Sequence, residues 1–168
     1  MKMLGAALIF IGCCSVGIYT AILHKRELGT LQKLAAVLDL MSCELQYRMT
    51  PLPELCRMVA KDGRSVVHSL FGDLSMELEC QVCPDVASCM TTVLTKQSAI
   101  PKQTEECLIQ LGSCMGRFDL SGQLKGMESV RQKCRQLIEK LNENKEDRLR
   151  GYRTLGLCAG AAIAILFI

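Results

Sequence analysis

At 168 residues with 49% apolar side chains and a mean hydropathy of +0.22, the chain suits one modest domain and is too apolar for a disordered polymer. Twenty Lys and Arg against 17 Asp and Glu leave a net charge of +3, too weak a field to favour DNA or RNA binding. Four Phe, three Tyr and no Trp, without sustained period-two alternation, argue against an all-β fold. The abundant Leu, Met, Lys, Glu, Gln and Arg are good helix formers.

Charge is absent from both ends. Residues 3–23 and 154–168 carry no Asp, Glu, Lys or Arg. The run from Met3 to Leu23 would span about 31 Å as a helix, enough to cross a hydrocarbon core of about 30 Å. It exceeds the apolar stretch of a signal peptide and lacks a small-x-small cleavage tripeptide near its end, so a membrane helix over 1–23 is expected. The segment 151–168 would reach only about 27 Å, with Arg150 and Arg153 snorkelling at one interface. Within it Gly156, Gly160 and Ala164 recur every four residues and form a candidate helix-packing face, although Gly and Ala are also simply common in membrane helices.

Lys25, Arg26 and Lys33 follow the first span, and Lys145, Arg148, Arg150 and Arg153 precede the second, whereas Lys2 alone lies beyond them. The positive-inside rule puts the middle segment, residues 24–150, in the cytoplasm.

Leu28, Leu31, Leu34, Leu38, Met41, Leu45 and Met49 recur at intervals of three and four and predict an amphipathic helix continuous with the first span. Thr50-Pro51-Leu52-Pro53 should break it, with Thr50 as N-cap and Glu54 in the first turn of a second helix. That helix turns Leu52, Leu55 and Val59 inward and stops at Asp62-Gly63. Ser65 is placed to cap a third helix carrying Val66, Val67, Leu70, Phe71, Leu74 and Leu78. Pro84 can open a fourth with Val86, Met90, Val93 and Leu94. A fifth from Pro101 carries Leu108, Ile109 and Leu111 to a turn over Gly112–Gly116. A sixth, from near Asp119, places Leu120, Leu124, Met127, Val130, Cys134, Leu137 and Leu141 at helical spacing. The fold class expected is all-α. The first and last helices should form an antiparallel stalk rooted in the membrane, with the short helices capping its far end.

Candidate chemistry is thin. There is no phosphate loop, no G-x-S-x-G elbow and no H-E-x-x-H helix, and His24 and His68 have no nucleophile partner by spacing. No enzyme activity, cofactor or small-molecule substrate is expected. Cys80-Gln81-Val82-Cys83-Pro84, with Cys89 beyond, is the strongest local cluster, and Cys107 or Cys114 could add a fourth zinc ligand. The pair does not repeat at a fixed distance as zinc patterns do, so free thiols of a cytoplasmic domain are the better account. A thiol- or metal-dependent regulator built on Cys80, Cys83 and Cys89 is the alternative function. The paired acidic residues, including the juxtamembrane run Glu143–Asp147, read as solvated helix surface, although that run could also meet a partner or anionic lipid.

Four stretches carry a resemblance: Lys2-Met3-Leu4-Gly5-Ala6 entering the first span; Glu44-Leu45-Gln46-Tyr47-Arg48-Met49-Thr50-Pro51-Leu52-Pro53-Glu54-Leu55; Leu111 to Asp119 with Gln123-Leu124; and Tyr152-Arg153-Thr154-Leu155-Gly156. In this order and spacing the chain resembles the stage III sporulation protein AB family over essentially its whole length. Met115 and Phe118 depart from the family pattern, and the cysteine richness is not a trait of it.

The resemblance implies a structural part of the complex that links mother cell and forespore during endospore formation. It implies a helical domain similar to the cytoplasmic domain of platform protein F of type II secretion and type IV pilus systems. The partners it implies are a secretion-type ATPase, the other membrane proteins of the channel, and the lipid bilayer of the mother-cell membrane around the forespore. Glu44, Tyr47, Thr50, Pro51, Leu52, Pro53, Glu54, Gly112, Gly116, Asp119 and Gln123 are the motif residues it selects, of which Gly112, Gly116, Pro51 and Pro53 are also explicable as turn and cap residues.

Overall fold

The computed structural model describes residues 2–80, 84–97, 99–116 and 119–167, with side chains from 22 to 143 within these. All regular structure among them is helical: α1 (Lys2–Arg48), α2 (Leu52–Asp62), α3 (Val66–Cys80), α4 (Val86–Lys96), α5 (Lys102–Cys114) and α6 (Leu120–Phe167). Among the described residues no helix is long and apolar enough to cross a membrane. The expected spans, and with them Gly156, Gly160 and Ala164, fall outside the residues described with side chains, apart from Ile22 and Leu23.

The expected stalk is the pair α1 and α6. Leu31, Leu34, Leu38 and Met41 on α1 are fully buried, as are Met127, Val130 and Cys134 on α6, and Leu141 nearly so. Both rows alternate steps of three and four, the spacing that keeps one seam facing a partner helix. Arg131 Nη1 donates to Asp39 Oδ1 at 2.6 Å and sets the register between them. Leu31 lies about 12 Å before Asp39 along α1, and Leu141 about 15 Å beyond Arg131 along α6. Only antiparallel helices let these two buried ends cover each other.

The α2–α3 hairpin is pinned at three levels. Arg57 pairs with Glu79; a Cβ on Gly72 would lie 3.3 Å from that of Ala60; and Gly63 lies under the His68 ring. Val67, Leu70, Phe71 and Leu74 fill the space between this hairpin and the rest. Lys96 pairs with Glu77 and Gln97 donates to Asp73, joining α4 to α3. Helices α4 and α5 run antiparallel through Met90 against Gly112 and Val86 against Gly116. Helices α5 and α6 do so through Cys114 against Gly126 and Gln110 against Lys133. Among the described residues, buried apolar side chains from all six helices form one core cluster, so the short helices and the stalk pack as a unit.

Several local expectations need correction. Thr50 is not the N-cap of α2; Pro51 holds that position, with an extended ψ of 143°, and no side chain caps the helix. Pro53 in the first turn has no N–H, which removes one of the donors a Thr50 hydroxyl would have met. Ser65 precedes α3 as expected, but its hydroxyl meets His68 Nδ1 at 2.6 Å. Helix α4 is capped by Asp85, whose carboxylate accepts from Ser88 N–H at 2.9 Å, and Pro84 lies outside it. Gly112 is not in a turn: α5 continues through Cys114, and Gly112 is buried inside it. Met49, Val66 and Ile109, expected inward, are exposed.

Candidate functional site

The register set by Asp39 and Arg131 has a geometric consequence for the motif residues. Eight residues beyond Asp39 is Tyr47, and eight before Arg131 is Gln123, so both sit about 12 Å along their helices toward the same end of the stalk. The α1–α2 corner and the α5–α6 corner therefore share the end farthest from the charge-free termini. Two stretches about 60 residues apart in sequence form one tip.

At the first corner α1 ends at Arg48, which pairs with Glu44 at 3.5 Å one turn back. Met49 then takes a left-handed backbone with φ of 51°, a conformation that costs a residue with a Cβ about 1–2 kcal/mol. This reverses the chain into Pro51, whose carbonyl accepts from Leu55 N–H at 2.9 Å. Leu52 packs on the core, while Pro51 and Glu54 face outward and Thr50 and Pro53 are half-buried. Tyr47 and Met49 are 77% and 71% exposed, the two most exposed large apolar side chains described.

At the second corner the Met115 N–H donates to the Leu111 carbonyl at 3.1 Å, after which Gly116 turns the chain with φ of +78°. A Cβ there would also lie 2.7 Å from Val86 Cγ2, so both conformation and space select glycine. Asp119 caps α6: its carboxylate accepts from the Ser121 hydroxyl at 2.8 Å and from Gly122 N–H at 3.1 Å. These two bonds, the hydroxyl first, hold its pKa below the ordinary carboxylate value. Gln123 N–H donates to Asp119 carbonyl at 3.0 Å, the first bond of α6. The motif residues thus include three shaping elements, Pro51, Gly116 and Asp119, and one buried packing residue, Gly112. Their exposed products are the Tyr47 and Met49 surfaces.

The cysteine cluster does not assemble among the described residues. Cys80 is exposed at the end of α3, Cys89 is buried in α4, and Cys83 lies outside the described residues. Among the described residues no group of three or more His, Cys, Asp or Glu is placed to hold a metal ion. A shallow cleft of about 370 Å³ at the α2–α3 corner is lined by Gly63, Arg64, Ser65, His68 and Gly72, and the hydrogen bond between Ser65 and His68 closes that corner.

Three features were not anticipated from sequence. Asp85 as a cap was signalled by its own residue type directly before the run from Val86, a carboxylate placed to accept the N–H three residues on. In the triad of Asp39, Arg131 and Glu128, Arg131 Nη2 lies 2.5 Å from Glu128 Oε2 one turn away on the same helix, whereas Asp39 is too distant in sequence to pair with Arg131 by inspection. The buried thiols of Cys107 and Cys134 belong to facing helices and to the same core cluster.

The whole chain, residues 2–168, matches the family described as stage III sporulation protein AB. The chain belongs to that family. A solved structure titled stage III sporulation protein AB aligns with 73% of this chain and 98% of its own, at 22% identity and a TM-score of 0.62. At that identity the likeness speaks for the shared helical fold. A search of curated proteins found no match. Family membership makes this a sporulation protein, in accord with the resemblance seen in the Glu44–Leu55 and Leu111–Leu124 stretches.

Proposed function

We propose that this chain is a membrane-anchored structural component of the channel complex between mother cell and forespore, and that its distal tip docks a secretion-type ATPase. Family membership supports the sporulation role. The observation that carries the anchoring is the stalk register. Counted from Asp39 and Arg131 along two uninterrupted helices, residues 3–20 come level with residues 150–167. Within these, the charge-free residues 3–16 and 154–167 overlap in height, as two spans of one bilayer must. With the basic residues between them, this orients the tip into the mother-cell cytoplasm.

The tip is assigned to the ATPase because it presents Tyr47 and Met49 to solvent at the end farthest from the bilayer, on a backbone that adopts a costly left-handed turn to do so. A scaffold needs no catalytic group. The chain's contribution is to hold this surface about 35 Å from Leu23, the length of helix between Leu23 and Tyr47.

An in-frame deletion in the source organism, induced to sporulate, tests the first part. Forespores that complete engulfment and then stay small or collapse, with heat-resistant spores restored by complementation, support it; normal spore counts refute it. For the second part, Tyr47→Asp with Met49→Asp should abolish co-purification with the ATPase while the protein stays folded and in the membrane. Unchanged co-purification removes the tip as the docking surface.

A further inference from the structure

We propose that Cys107 and Cys134 form a reversible redox pair that closes into an α5–α6 disulfide when a peroxide oxidises it. The two thiols are fully buried members of the single core cluster, on neighbouring antiparallel helices. Their alignment follows from contacts that do not involve them. Cys114 on α5 lies against Gly126 on α6, so close that a Cβ on Gly126 would be 2.5 Å from that of Cys114. Cys107 is two turns back along α5, and Cys134 is just over two turns forward along α6, which brings them to one level. Glycine at 126 lets the two backbones approach closely, as the short Cα–Cα separation of a disulfide requires. Lys133, reaching Gln110 at 3.5 Å and Glu106 at 3.9 Å, locks the same register from outside.

The pair is chemically unequal. Interaction with the Cys134 thiol lowers the Cys107 pKa against the opposing effect of burial, and interaction with Cys107 together with burial raises that of Cys134. Cys107 is taken as the attacking sulfur and Cys134 as the resolving one, an assignment that the Cys134→Ala variant below tests. Cys107 thiolate attacks one oxygen of hydrogen peroxide; the O–O bond breaks, a sulfenic acid forms on Cys107, and the other oxygen leaves as hydroxide, which takes up a proton to become water. Cys134 then loses its proton and attacks the Cys107 sulfur; the S–O bond breaks, the S–S bond forms, and the second oxygen also leaves as water. Two thiols and one peroxide become one disulfide and two waters, and a thiol reductant reverses the step. In a reducing compartment the pair rests as the dithiol. The lock would fix α5 to the stalk and, through Gly112 against Met90 and Gly116 against Val86, the α4 layer with it.

Among the described residues, Cys43, Cys56 and Cys80 do not share this arrangement. Cys56 is buried with its pKa pushed up to about 12 by burial alone, and Cys43 and Cys80 are exposed on separate helices.

The test uses the full-length chain in detergent, fully reduced, exposed to hydrogen peroxide, blocked with N-ethylmaleimide and mapped by mass spectrometry with sequencing that separates Cys107 from Cys114. The expected result is one linked fragment pair joining Cys107 to Cys134, released by dithiothreitol, and a rise in the thermal unfolding midpoint of the oxidised protein. A Cys134→Ala variant should instead trap sulfenic acid on Cys107, captured by dimedone. The wild-type map stands without any variant. Recovery of both residues alkylated, or of Cys107 linked to another cysteine or over-oxidised beside an alkylated Cys134, overturns the proposal.

Discussion

At Gly112 a methyl group would lie 2.9 Å from the Met90 Cβ, an atom next to the backbone that cannot swing aside. Gly112→Ala should therefore destabilise the protein by about 1–3 kcal/mol despite the better helix propensity of Ala. Gly29, in α1 with nothing within 4 Å of a Cβ, is the internal control, and Gly29→Ala should stabilise by about 0.5–1 kcal/mol. Urea unfolding midpoints of the two variants should move in opposite directions. Met49→Gly, which relieves the left-handed backbone, should raise the midpoint or leave it unchanged. Asp119 makes a separate prediction in acid. Its folded pKa lies below the ordinary value of 3.8, so its stabilising contribution is complete above that value and is lost as pH falls through the lower folded one. Asp119→Asn keeps a capping side chain but no titrating charge. The stability difference between wild type and this variant should be constant near neutrality and shrink below about pH 3.8, measured by thermal melts across pH.

Between elements, apolar burial and ion pairing contribute on different scales. Phe71, the largest fully buried side chain, sits in α3 within the single core, and Phe71→Ala should cost about 3–5 kcal/mol. Arg131 is 28% exposed and its partners Asp39 and Glu128 about half, so water and salt screen the triad. A double-mutant cycle with Asp39→Asn and Arg131→Gln should return a coupling of only about 0.2–1 kcal/mol, falling further at about 1 M salt, where the screening length is about 3 Å. The pair thus adds little to stability and contributes no more than that to the choice of register. With the seam residues repeating every three and four, a slip of one heptad would keep apolar side chains facing each other, and the Asp39–Arg131 level, with the contacts of α5 to both long helices, separates the correct pairing from the slipped one.

For the whole molecule the antiparallel stalk dictates where the ends go. If α1 and α6 both cross one bilayer at the same level, the two termini emerge on the same side, opposite the tip. Epitope tags at residues 1 and 168 should then be accessible to a membrane-impermeant reagent from one side together, and Cys43, exposed near the tip, from the other. Tags that label from opposite sides would break the proposed topology, because two helices in this register cannot place them there.

Helix content, element order and most inward faces were legible in the sequence, since Leu31, Leu34, Leu38 and Met41, or Val67, Leu70, Phe71 and Leu74, mark one side of a helix by spacing alone. Both long helices and the glycine turn at Gly116 were legible for the same reason: periodicity and backbone conformational limits are local properties. What Gly112 does was not, because whether a glycine turns the chain or admits a neighbour depends on Met90, 22 residues away. Met49 kept its place in the apolar period, yet α1 ended one residue short of it. The exposed tip, the Asp39–Arg131 level and the Cys107–Cys134 contact all join residues from different helices, and only the packing of the helices against one another could bring them together.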